Sequence, residues 1–198
     1  MKKKAIVIQA GILLIVATSV ITISTLSTAQ TTQPGHHDDA HIEMWDGIKQ
    51  AVCVLTPTGN NKTGGIIRFT ESHDQVAIDG HISGLNPNQK HAIHIHEYGD
   101  LTNPNGLATG GHYNPSNSPH GLPSQTRRHA GDLGNLHADA NGNAHLHIRM
   151  DNISVAGLNN PIIGRGMIIH AKGDDGGQPT GNAGARIAQG VIGIAKAP

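Results

Sequence analysis

HAIHIHEYGD (residues 91–100), GGHYNPSNSPHG (110–121) and RRHAGDLG (127–134) decide how this chain is read. Ile93 and Ile95 alternate with His94 and His96, the period of a strand that buries one face. Residues i and i+2 share a face, so the two imidazoles point the same way, with Cα atoms roughly 6.5–7 Å apart. That spacing lets both rings converge on one ion. An HxH pair alone also occurs as two half-exposed strand residues, and loops use His and Asp in turns. Here, however, His112, His120, His129 and Asp132 follow among turn residues that let the chain wrap around a centre. Three imidazoles and a carboxylate make a closed, four-coordinate zinc set.

Outward from this stretch, short strands are predicted near 49–56, 64–70, 75–83, 91–97, 133–139, 144–150, 166–170 and 190–195. TGNNKTGG, SHD, GLNPNQ and DANGN supply tight connections between them. There is no convincing amphipathic helix. With aromatics at 2% and 26 glycines, the core must come from Val, Ile, Leu and Ala. The expected fold is all-β, an eight-stranded sandwich or flattened barrel. Two connections, 98–132 and 171–189, are too long to be turns, and long ordered loops usually carry function. His96 precedes the first and His170 the second. A further pair, His145 and His147 in AHLHI, is assigned to the solvated outer face because Leu146 and Ile148 take the core side.

Lys2, Lys3 and Lys4, an apolar run from Ala5 to about Ile23, and Ser27-Thr28-Ala29 resemble a secretory signal. The run is long enough that an uncleaved membrane anchor through residues 5–23 stays open. Either way the domain is expected to be exported: periplasmic, cell-surface or secreted. Residues 30–47 read as a polar linker carrying His36, His37 and His41, and 48–198 as the folded domain. The whole chain has formal charge zero. Without residues 1–29, eleven basic residues face fourteen acidic ones, a charge of −3. Nucleic acid is excluded as a partner, since little charge is left to neutralise phosphate. Cys53 is the only cysteine, so no intrachain disulfide can form. It reads as a buried, inert thiol in AVCVL. Asn61 and Asn152 stand in N-x-S/T contexts.

HAIHIHEYGD, GGHYNP, RRHAGDLGN, IIGRGMIIHAKGDD (162–175) and TGNAGARIAQGVIGIA (180–195) together resemble the copper/zinc superoxide dismutases, in order and spacing. AVCVL is similar to that family's first strand, so the resemblance covers about residues 48–195. It implies a Greek-key β-barrel with two functional loops, one copper and one zinc per subunit, and superoxide as substrate. By this resemblance His94, His96, His112 and His170 bind copper, and His112, His120, His129 and Asp132 bind zinc, with His112 bridging the two. Imidazole suits both metals, and a single carboxylate beside three imidazoles favours zinc. Asp174 matches an acid that links ligands of the two sites from behind, and Arg186 an active-site arginine that guides the anion. GVIGIA and the Tyr98-Gly99-Asp100 turn resemble segments that pair subunits, which implies a homodimer.

The chain departs from the family's pattern in two places. The disulfide that commonly ties the first long loop to the barrel would fall near Leu107 and at Gln189, and it is absent. In the chain-entropy model, a bridge closing roughly 80 residues contributes about 4 kcal/mol. Zinc and the loop prolines Pro104, Pro115, Pro119 and Pro123 are the expected compensation. The second loop, DDGGQPTGNAG, lacks the acidic pair and one lysine of animal-type members, leaving Lys172 and Arg186 as attracting charges. Two other readings stay open from sequence: a metal carrier or store of the same fold, and a structural zinc domain with vacant copper ligands.

Overall fold

The computed structural model describes Trp45 and residues 47–196. The expected signal or anchor (1–29) and nearly all of the linker lie outside the described residues. The chain divides into a unit of residues 1–34 and one of 35–198; everything below concerns the second. Among the described residues, no helix is long and apolar enough to cross a membrane.

Eight strands form one antiparallel sheet: β1 (Gln50–Pro57), β2 (Gly64–Ser72), β3 (Gln75–Ser83), β4 (Lys90–His96), β5 (Asp132–His137), β6 (Ala144–Met150), β7 (Gly166–His170) and β8 (Arg186–Ile194). Their order is β5-β4-β7-β8-β1-β2-β3-β6. The edge strands β5 and β6 also approach one another, so the sheet curls into a nearly closed barrel. Because β4 does not pair with β3, nor β7 with β6, the chain crosses between halves as a Greek key requires.

The alternation that predicts the strands also fills the barrel. Ile67, Phe69, Ile78, Ile93, Ile95, Leu133, Leu136, Met167 and Ile169 point inward and are buried. Phe69, the only phenylalanine, is fully buried, and its truncation to Ala is worth about 3–5 kcal/mol. On β6, His145 and His147 are exposed while Leu146 is buried and Ile148 half-buried, the facing expected from sequence.

Strand β4 is the exception that positions the site. All residues from His91 to His96 are buried, so its outer face is covered as well as its inner one. The β4–β5 connection lies across that face. Tyr113 donates its N–H to the Ile95 carbonyl at 2.8 Å, Gly131 donates to Tyr113 at 2.9 Å, and Ile95 donates to Gly131 at 2.9 Å. The loop thereby becomes a backbone-bonded continuation of the sheet. The Arg165 guanidinium sits 3.9 Å over the Tyr113 ring and helps to hold it.

Two expectations need correction. Strand β8 begins at Arg186, four residues before 190, because Ile187 and Ala188 are buried and Ala188 already pairs with Ile169 and Pro57. The second functional loop therefore ends at 185. A third long connection, 151–165, joins the two that the sequence marks as long. It is tied down by Ile162 to Val155, Glu71 Oε2 to the Val155 N–H at 2.6 Å, and Arg128 to Asp151 and Asn152. A 3-10 turn at Leu107–Thr109 lies within the first loop.

Candidate metal centre

The buried outer face of β4 carries His94 and His96; His170 ends the neighbouring strand β7; His112 reaches them from the first loop through an isolated bridge to His96. One nitrogen of each of these four rings lies within 4.8 Å of the others. Their far sides are held by acceptors. His96 Nδ1 meets the Gly110 carbonyl at 3.0 Å, His170 Nδ1 the Gly184 carbonyl at 3.3 Å, and His94 Nε2 meets Asp174 Oδ2 at 2.9 Å. Those contacts fix the tautomers and leave His96 Nε2, His170 Nε2 and His94 Nδ1 buried with no hydrogen-bond partner. A buried polar atom without a partner is costly. Three such nitrogens gathered together have the geometry to hold a cation.

The second cluster adjoins the first through His112. Asp132 Oδ1 lies 2.9 Å from His112 Nδ1, 3.0 Å from His120 Nδ1 and 3.1 Å from His129 Nδ1. His112 Nδ1 and His129 Nδ1 are 3.3 Å apart. Read as hydrogen bonds, two N–H groups would face each other. Around one ion the spacing is natural, because tetrahedral ligands about 2.0–2.1 Å from zinc are about 3.3 Å from each other. The other oxygen, Asp132 Oδ2, accepts the backbone N–H of Gly121 (3.0 Å) and of His129 (2.9 Å), which orients the carboxylate.

Asp174 joins the two clusters from behind. Its Oδ2 faces His94 and its Oδ1 faces His120, both at 2.9 Å. Asn135 on β5 grips Asp174 at both ends, accepting its N–H at 2.6 Å and donating to its carbonyl at 2.9 Å. Gln178 likewise brackets His120, accepting its N–H at 3.1 Å and donating to its carbonyl at 2.8 Å. Gly181 (φ +75°) lets the loop close on this pair, for a Cβ there would strike the Asp174 carboxylate. Asn135, Gln178 and Gly181 escaped the sequence reading, as did His91. The last is fully buried, and its Nδ1 donates to the His170 carbonyl at 2.9 Å, which seats the end of β7. His91 shares sequence parity with Ile93, so alternation places it in the core. The register shift between Ala92 and His94 breaks that inference.

The electrostatics call for positive charge. Burial pushes His112 down to about 4 and His170 to about 3, and His94 and His96 also fall, so these rings are neutral and able to ligate. Burial opposes protonation of His120 too, but hydrogen bonds to Asp132 and Asp174 outweigh it and raise the ring to about 9. Asp174 falls to about 2 and Asp132 lies far below the carboxylate range: burial works against both, and the histidine hydrogen bonds prevail. Two buried carboxylates thus hold a proton on His120 wherever a metal does not take its place.

Arg186 opens β8 beside the His cluster. Its guanidinium donates to the carbonyls of Gly106 and Gly110 and to Thr109 Oγ1. Gly106 (φ +76°) is needed there, since a Cβ would come within 3.3 Å of the Arg186 side chain. Arg186 therefore anchors the first loop as well as facing a small cavity lined by His96, Gly111, His112, His170 and Thr180. Where a disulfide would run, Leu107 is exposed and Gln189 is buried. Gln189 Nε2 reaches the Asn103 carbonyl only at 3.4 Å, while Gly59 donates to Pro104 at 2.9 Å. Polar contacts replace the covalent tie.

Residues 63–192 match the family model described as copper/zinc superoxide dismutase (SODC). The chain belongs to the copper/zinc superoxide dismutase family. It is 38% identical to the extracellular superoxide dismutase [Cu-Zn] of Brugia pahangi, over 82% of this chain and 86% of that one. It is 42% identical to superoxide dismutase [Cu-Zn] 2 of Mesembryanthemum crystallinum, over 75% and 97%. Among solved structures, it resembles the clock protein EA4 at 40% identity and a TM-score of 0.68, over 74% of this chain and 95% of that one. Superoxide dismutases of this family hold one copper and one zinc per subunit, and the two donor sets described here fit both ions.

Proposed function

We propose that this chain is a working superoxide dismutase, with copper held by His94, His96, His112 and His170, zinc by His112, His120, His129 and Asp132, and His112 shared. The observation that carries the reading is the set of orphaned buried nitrogens on His94, His96 and His170 beside an arginine-lined cavity. A copper ion held by these four rings would supply one-electron redox chemistry, by which two superoxides and two protons would give one dioxygen and one hydrogen peroxide. A zinc ion in the other set is structural.

The chain's own residues do the rest. Arg186 is immobilised by three acceptors and presents fixed positive charge at the cavity mouth, which attracts and orients a small anion. His112 Nδ1 lies beside Asp132, leaving Nε2 for the copper set. When that nitrogen is free of metal it can hold a proton and release it to the departing product. Asp174 keeps His94 and His120 in register, so the two sites are oriented by one carboxylate.

Two relatives are named extracellular, the second being that of Haemonchus contortus at 46% identity over 67% of this chain and 75% of that one. Together with residues 1–29, this supports an exported enzyme. A homodimer is the proposed assembly: Val54, Tyr98, Val191 and Ile194 expose apolar surface along β1, β8 and the adjoining turn.

The decisive measurement is superoxide decay by copper- and zinc-loaded protein beside Arg186→Ala. Fast decay that drops several-fold or more in the variant is expected. Decay no faster than that of free copper would favour a metal carrier built on the same fold.

A further inference from the structure

We propose that the outer face of the β3–β6 ladder carries a second, solvent-exposed site for a divalent transition-metal ion, with His81 and His145 as its imidazole ligands. The two residues are directly opposite in register, with ring centroids 4.2 Å apart and planes inclined by 75°. Opposed positions on antiparallel strands hold their Cβ atoms about 4.5–5.5 Å apart, so rings from the two strands reach one ion without backbone movement.

The frame beneath them is regular. The β3–β6 register runs from Val76↔Met150 to Ile82↔Ala144 without a shift, and β3 is paired along its whole length with β2 on its other side. Both rings are exposed, so water is all that an ion must displace.

Charge on both flanks favours a cation. Asp79 lies two residues before His81, directly opposite His147, and the two side chains meet at 2.5 Å. On the other flank Asp139 lines a groove together with His81 and His145. Arg68 stands opposite Asp79 in register, one row away; the residue beside His81 in its own row is the apolar Ile66. Two imidazoles with water in the remaining positions suit copper(II) first and zinc second. None of these residues belongs to the buried sets, and an ion here exchanges with solvent.

The test uses the full chain with both buried sites filled, titrated with copper(II) and followed by calorimetry and electron paramagnetic resonance. One further ion per chain is expected, with two-imidazole hyperfine structure. Either His81→Ala or His145→Ala turns a chelate into a single ligand and should weaken it about 100-fold or more, leaving superoxide decay unchanged. The chain carrying His36→Ala, His37→Ala and His41→Ala should keep the ion. Absence of a further ion would overturn the proposal. So would an ion that survives both β-strand substitutions, or one lost only from the N-terminal variant.

Discussion

Asp174 Oδ1 lies 2.9 Å from His120 Nε2, while the opposite nitrogen of the same ring lies 3.0 Å from Asp132 Oδ1. One imidazole thus spans two buried carboxylates, one a proposed ligand and the other its outer support. Asp174→Asn keeps the shape, removes the charge, and cannot accept from both His94 and His120 equally well. Zinc and copper affinity, measured by chelator competition, should fall about 10–100-fold. Gly181→Ala, which drives a Cβ into the Asp174 carboxylate, should move affinity in the same direction. Unchanged affinity in both would show that Asp174 supports the loop without tuning the ligands.

Metal removal should destabilise the protein more than in relatives with a disulfide. The first loop is held here by Arg186, Gln189 and the Gly59–Pro104 contact, with Asp132, His112, His120 and His129 clustered around one point. Without metal, His112 Nδ1 and His129 Nδ1 face each other at 3.3 Å and only polar contacts hold the loop. A loss of even about 4 kcal/mol lowers Tm by on the order of 10 °C in a domain of this size. Calorimetry of metal-free and loaded protein checks it. Melting within a few degrees of each other would contradict it.

The rate should depend weakly on salt. Arg186 is tied into the loop, and Lys172 is the other cation on the second loop's sequence. Long-range attraction of superoxide therefore rests on few charges, and screening has little to remove. The slope of decay rate against ionic strength should be shallow. A steep fall would reveal a field that these two residues do not supply.

Cys53 gives a pH signature. Burial raises its thiol from an ordinary 9.0 to about 12. The folded chain therefore binds a proton that the unfolded chain releases. The stability this contributes is complete below pH 9 and is lost as pH rises from there towards 12. Native protein should resist iodoacetamide at pH 9, and Cys53→Ala should lose less stability than the parent between pH 9 and 11 in denaturant titrations. Rapid alkylation of the native thiol would show that the β1–β8 seam opens.

Most of the eight strands could be drawn from sequence because inward Ile, Val and Leu alternate with polar residues, and alternation is a local property of a half-buried strand. Where strands are covered on both faces the signal weakens. Strand β8 begins early for that reason, and His91 is buried despite a polar side chain because it has the His170 carbonyl to bond. The connection 151–165 reads as an ordinary turn-rich stretch, and its order comes from Arg128 and Glu71, distant partners that no local pattern contains.

By itself the sequence determined the all-β class, the absence of a disulfide and the inventory of metal-binding side chains, since composition, alternation and residue type are written along the chain. Only the tertiary structure decided which nitrogen of each ring is free, that Asp174 faces His94 and His120 together, that Arg186 ties the loop it also serves, and that His81 meets His145. Each of these depends on a distance between residues far apart in the chain, and such distances exist only once the barrel has closed.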